Sequence, residues 1–149
     1  PKISRPDMMT IWMVKSMPES IFIDTGYVIA LINDNDANHA QARHLAERYE
    51  GFPLVTTDAV LLEIGNTLSR IARAEASEII RHFQRADDVE LIHLNPILFN
   101  QALAMFERYH DKTWGLVDCL SFVVMKEMRL SRALAFDQHF VQAGFILAE

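Results

Sequence analysis

Hydrophobic positions along this chain fall into two kinds of stretch. Short runs rich in β-branched or aromatic residues, with no helical period, occupy residues 21–24 (IFID), 53–56 (PLVT), 89–94 (VELIHL) and 132–136 (RALAF). Such runs predict buried strands, and residues 145–147 predict a short last one. Between them the apolar residues recur every three or four positions. In residues 37–49 these are Ala42, Leu45, Ala46 and Tyr49, which predicts an amphipathic helix. The same reading predicts helices over 25–32, from Thr57 or Asp58 to about residue 72, and over 74–86, 96–109, 116–128 and 137–143.

Punctuation agrees with this division. The run NDND at 33–36 predicts a turn, and Gly51 lies just past a helix end, the usual stop. Pro96 suits a first helical turn, where its missing N–H costs nothing. Strands alternating with helices predict an α/β fold, a three-layer α/β/α sandwich around a mostly parallel sheet. There is no internal repeat and no linker, so one domain is expected over 21–149, preceded by an extension at 1–20. That extension holds four methionines, and Met17 reads as a translation start. Its first reading is a stretch without function; packing of its apolar Ile11, Trp12, Met13 and Val14 on a neighbouring subunit is the alternative.

Composition narrows the function classes. With 149 residues, 50% of them hydrophobic and 23% charged, the chain is expected to bury one ordinary core. The single cysteine, Cys119, excludes an intrachain disulfide framework and a cysteine zinc site, and fits a reducing, cytoplasmic setting. No apolar run approaches the ~20 residues of a membrane-spanning helix, and no signal peptide is read. A net charge of −6 argues against a broadly basic nucleic-acid binder. It leaves open an acidic pocket neutralised by cations.

Four acids are placed where a pocket belongs. In parallel α/β folds ligands sit beyond the carboxyl ends of the strands. Asp24 and Asp137 are expected to close the first and fourth strands. Glu63 lies in the helix after the second strand, and Asp118 lies in a first helical turn, where the helix dipole favours an anion. Each has a plainer explanation: Asp118 as a capping acid, Asp24 and Asp137 as turn formers, Glu63 as the partner of Arg70. Together they converge on one crevice. Two carboxylates ~5 Å apart repel by roughly 3 kcal/mol at an effective dielectric of ~20. A fold keeps such a cup most readily when hard divalent ions, Mg²⁺ or Mn²⁺, neutralise it. Those ions activate water and stabilise charge on phosphate, so hydrolysis of a phosphodiester is the expected reaction.

These residues in their settings, IFIDTGYVIAL, LLEIGNTL, WGLVDCLSFVVM and ALAFDQHFVQAGF, resemble the four acidic signatures of the PIN domain family, most of all its small VapC-type toxins. The resemblance runs from about residue 21 to the C-terminus. It implies a metal-dependent endoribonuclease, the toxin of a toxin–antitoxin pair, commonly dimeric. It implies that Asp24, Glu63, Asp118 and Asp137 bind the metal and position water. Thr25 is expected to orient Asp24, and Asn66 and Ser121, one turn after Glu63 and Asp118, to support them. The chain departs from the pattern where Gly115, Val117, Ala135 and Phe136 replace hydroxyl residues frequent in relatives. The missing hydroxyls motivate the alternative expectation, a PIN-fold module that binds RNA or protein with weakened catalysis. A phosphatase of DxDxT type ranks below both, because its second aspartate is absent after Asp24.

With the four acids set aside, 16 acidic residues face 14 basic ones, ten of them arginine. Arg70 and Arg73 are expected to hold RNA phosphates, with ion pairing on the surface as the plainer alternative. Trp114 is expected to stack a base from an exposed loop, or else to pack. Most histidines read as surface residues; His139, close after Asp137, is the one that approaches the site. Cys119 reads as a small buried side chain.

Overall fold

The computed structural model describes residue 5, residues 7–9 and residues 18–149. The alternative reading of the extension, packing of Ile11, Trp12, Met13 and Val14 on a neighbouring subunit, lies outside the described residues. From residue 18 onward the order is β1 (Ile21–Ile23), α1 (Thr25–Ile32), α2 (His39–Arg48), β2 (Leu54–Thr57), α3 (Asp58–Leu68), α4 (Arg73–Arg85), β3 (Val89–Ile92), α5 (Pro96–Arg108), α6 (Leu116–Glu127), β4 (Arg132–Leu134), α7 (His139–Gln142) and β5 (Ile146–Leu147).

The five strands form one sheet in the order β3-β2-β1-β4-β5, and every pairing is parallel. Consecutive parallel strands need crossover connections, which is why helices cover the sheet and why strands such as β1 are buried at every residue. β1 is central. The chain leaves it for β2 on one side, and β4 arrives much later on the other. That reversal of strand order opens a crevice at the carboxyl end of β1.

Local chemistry fixes the helix starts that matter. The Thr57 hydroxyl accepts from the Val60 N–H at 3.2 Å and so caps α3. The Asn95 side chain accepts from the Leu98 N–H at 2.9 Å, with Pro96 at the first position of α5. Gly51 takes φ +83°, a left-handed conformation that a side chain would strain, and turns the chain from α2 into β2.

The core closes on an aromatic cluster. Phe122 of α6 packs edge-on to Trp114 and to Phe140 of α7, and also meets Phe145. Phe140 in turn touches Phe22 of β1. The element boundaries depart from the sequence expectation at strand ends. β4 stops at Leu134, so Asp137 lies three residues beyond it, in the segment leading to α7. Helix α3 ends at Leu68 rather than near residue 72.

Candidate active site

Asp24 follows the last residue of β1, and its backbone N–H donates to the Leu134 carbonyl of β4 at 3.1 Å. The central strand pair therefore fixes where its side chain points. Only 7% of the residue is exposed. Burial raises its carboxyl from the ordinary 3.8 to about 7. The Thr25 backbone amide pulls the other way, and the charges of Asp118, Glu63 and Asp137 add to the rise.

The other three acids reach Asp24 from three separate elements. Glu63 stands on α3, Asp118 in the first turn of α6, and Asp137 between β4 and α7. All four line one open cavity of about 590 Å³, whose wall also includes Thr25, Gly26, Ile29, Asp36, Asn38 and Phe136. The expected pairing of Glu63 with Arg70 is not what the structure contains. Glu63 instead accepts a 2.8 Å hydrogen bond from the Thr25 hydroxyl. That hydroxyl, expected to orient Asp24, thus serves the neighbouring acid across the crevice.

Backbone donors hold the remaining two, with an imidazole beside them. The Gly115 N–H donates to Asp118 Oδ2 at 3.0 Å, the reach of an acid in a first helical turn back to the residue before the helix. The His139 N–H donates to Asp137 Oδ1 at 2.9 Å. His139 Nδ1 lies 3.1 Å from Asp137 Oδ2 and 3.3 Å from Asp118 Oδ2. The positions where hydroxyls are missing are therefore served by Gly115 and His139.

Several sequence expectations are corrected here. Trp114 is 7% exposed, donates from its indole nitrogen to Gln142 Oε1 at 2.9 Å, and packs between Tyr109 and Phe122. Its loop is pulled into the core by these contacts, so it is not a free stacking platform. Ser121 is fully buried, and its hydroxyl donates to the Val117 carbonyl of its own helix, 3.0 Å away, instead of supporting Asp118. This is the usual fate of a mid-helix serine. Asn66 is exposed and does not line the cavity, because three residues of helix rotate it past the face of Glu63. Arg70 and Arg73 are both exposed. Arg73 lines a separate hollow of about 390 Å³ between α3 and α4, together with Ser69, Ser77, Arg81 and Gln84. Cys119 is buried, and burial together with Asp118 raises its thiol.

Two wall residues were missed. Asp36 and Asn38 lie in the turn after α1, where Asp36 Oδ1 accepts from the Asn38 N–H at 2.8 Å. The sequence signals a turn there but not its path toward the crevice.

The donor set suits a hard divalent ion. Carboxylate oxygens predominate, and one oxygen each from Asp118 and Asp137 and a ring nitrogen of His139 lie within 4.8 Å of one another. The observation behind that fit is the cost of ionising Asp24: a buried carboxyl facing three further acids keeps its proton unless a cation takes the proton's place.

A family model, the PIN domain, matches residues 21–146. The chain is similar to the 23S rRNA-specific endonuclease VapC20 of Mycobacterium tuberculosis, in two strains. In each, identity is 31% over 128 residues, covering 85% of this chain and 95% of that protein. Its structure is similar to the crystal structure of M. tuberculosis VapC20, described as a Sarcin-Ricin loop cleaving toxin. The TM-score is 0.77 with 31% identity, over 85% of this chain and 96% of that one.

Proposed function

The chain belongs to the PIN domain family, and from that premise we propose that it is a divalent-metal-dependent endoribonuclease, the toxin of a toxin–antitoxin pair. The observation that carries this reading is the convergence of Asp24, Glu63, Asp118 and Asp137 on one cavity at the carboxyl end of a parallel sheet. These four acids are the proposed metal ligands and catalytic residues, and Mg²⁺ or Mn²⁺ is the proposed ion. When bound, the ion supplies activation of water and neutralisation of the charge that develops on the phosphate.

The chain's own groups do the positioning. Gly115 and His139 hold Asp118 and Asp137 through backbone amides, and the Thr25 hydroxyl holds Glu63. The open cavity admits a strand rather than enclosing a small molecule. Phosphates further along the RNA fall to arginines on the helix pair that carries Glu63. Arg73 and Arg81 line the hollow between α3 and α4, and Arg70 lies at their junction. The protein is proposed to act in the cytoplasm as a homodimer, held inactive by a cognate antitoxin. Among the described residues no helix is long and apolar enough to cross a membrane.

The test is cleavage by antitoxin-free protein of a panel of RNAs. The panel includes a 23S rRNA stem-loop, since a 23S rRNA is what the relative VapC20 acts on. Cleavage is expected with Mg²⁺ or Mn²⁺, is lost on adding chelator, and returns when the ion is restored in excess. Failure to cut any member with either ion overturns the enzyme reading.

A second, smaller effect isolates the Thr25 contact. Thr25→Val keeps the shape and removes the donor to Glu63. Loss of a group that orients a metal ligand lowers metal affinity or activity by about 10–100-fold. Steady-state cleavage against metal concentration is expected to show a shift of that size in the half-saturating ion. An unchanged curve removes Thr25 from the machinery.

A further inference from the structure

His139 is placed as more than a neighbour of the acids. It begins α7, whose next residue, Phe140, is fully buried in the aromatic cluster, so the backbone that carries the imidazole is anchored. Its Nδ1 faces Asp137 Oδ2 at 3.1 Å and Asp118 Oδ2 at 3.3 Å. On the far side of the ring, Nε2 lies 3.1 Å from the Thr113 hydroxyl oxygen. A histidine that ligates a metal almost always engages its second nitrogen with a polar partner, which fixes the ring and its tautomer. With the Thr113 oxygen accepting from Nε2–H, Nδ1 is left with its lone pair aimed between two carboxylate oxygens.

We propose that His139 Nδ1 is itself a ligand of the divalent ion, alongside Asp118 and Asp137, so that the site is a mixed nitrogen–oxygen centre. This rests on the ion-dependent reading above and gives it a specificity. Mg²⁺ is a hard ion that favours oxygen and holds its water tightly, whereas an imidazole donor suits transition ions. The nitrogen therefore favours Mn²⁺ over Mg²⁺. Thr113 acts at one remove, as the group that orients the ring.

The test reads the donor atom rather than the activity. The chelator-stripped full chain is loaded with Mn²⁺ and examined by pulsed electron paramagnetic resonance. Modulation from a directly bound ¹⁴N is expected, replaced by the ¹⁵N pattern when the protein carries ¹⁵N-histidine, and absent in His139→Gln. Calorimetry alongside is expected to show His139→Gln losing about tenfold in Mn²⁺ affinity with Mg²⁺ affinity nearly unchanged. Bound Mn²⁺ with no nitrogen modulation overturns this proposal and leaves the ion-dependent reading standing, as does a variant that weakens both ions equally. No Mn²⁺ binding by the native chain overturns both. If His139→Gln does not fold, the isotope comparison on the native chain decides the question alone.

Discussion

Asp118→Asn is expected to reduce RNA cleavage by about a thousandfold or more while leaving the fold intact, a loss of about 4 kcal/mol in transition-state stabilisation. The reasoning starts from position. Asp118 is in the first turn of α6, and its Oδ2 takes a hydrogen bond from the Gly115 N–H and lies 3.3 Å from His139 Nδ1. Asparagine keeps the size but loses the charge. It also offers an amide that must either displace its oxygen from the Gly115 donor or turn N–H groups toward the cavity. In the first case the helix start is disturbed; in the second the ion meets donors where it needs acceptors. The native charge contributes little to packing, because Asp118 is only half-buried, and the core contacts of α6 are made by Cys119 through Met125, which the substitution leaves in place. Circular dichroism and melting of the variant are therefore expected to match the native chain. Cleavage within tenfold of native, under saturating Mn²⁺, would remove Asp118 from catalysis.

Asp24→Asn is expected to do the opposite to stability. In the metal-free protein the Asp24 carboxyl is raised from 3.8 to about 7, chiefly by burial. The folded chain holds that proton up to neutrality, and the unfolded chain releases it near pH 4. Between those values the native state binds more protons than the unfolded state, so unfolding free energy falls as pH rises. The full effect is about 4 kcal/mol, spread over that window and complete above it. Chelated native protein is expected to melt at a higher temperature at pH 5 than at pH 8. The asparagine variant escapes this loss. Its melting temperature at pH 8 is expected to lie about 10 °C above that of the chelated native chain, on a scale of ~2–4 °C per kcal/mol for a chain of this size. Cleavage is lost with the charge. A chelated native protein whose melting point is flat from pH 5 to pH 8 would refute the burial argument. The pair of variants separates two ways in which an acid serves a site, one cheap and half-exposed, the other costly and central.

The sequence made the acids legible because each falls at a point that packing does not require. Asp24 ends a strand of wholly buried apolar residues, and Glu63 stands among apolar residues in its helix. The strand–helix alternation that places them is a matter of period, which a single chain carries in full. What escaped depends on paths that period does not encode. Asp36 comes to the cavity only because the turn after α1 folds back over the crevice. Trp114 looked exposed because glycine and polar residues surround it, yet Tyr109 and Phe122, one before and one after the loop, draw it inward. Ser121 had the right spacing from Asp118, but its hydroxyl is taken by the carbonyl one turn back. The donors that replace the missing hydroxyls were invisible for a related reason. Both are backbone N–H groups, of Gly115 and His139, which no residue type announces.

The aromatic cluster around Phe122 has a consequence for how the cleft can be retuned. Phe122 and Phe140 lock together the helix that bears Asp118 and the one that begins with His139, so one jaw of the cleft is rigid. The opposite jaw, α3, carries no ring of that cluster: it packs through the aliphatic Val60, Ile64 and Leu68, and its Glu63 meets Thr25 of α1 across the opening. Variation that adapts the protein to a differently shaped target has its freest play on the α3 side. There, repositioning a carboxylate leaves the anchored half of the cleft undisturbed.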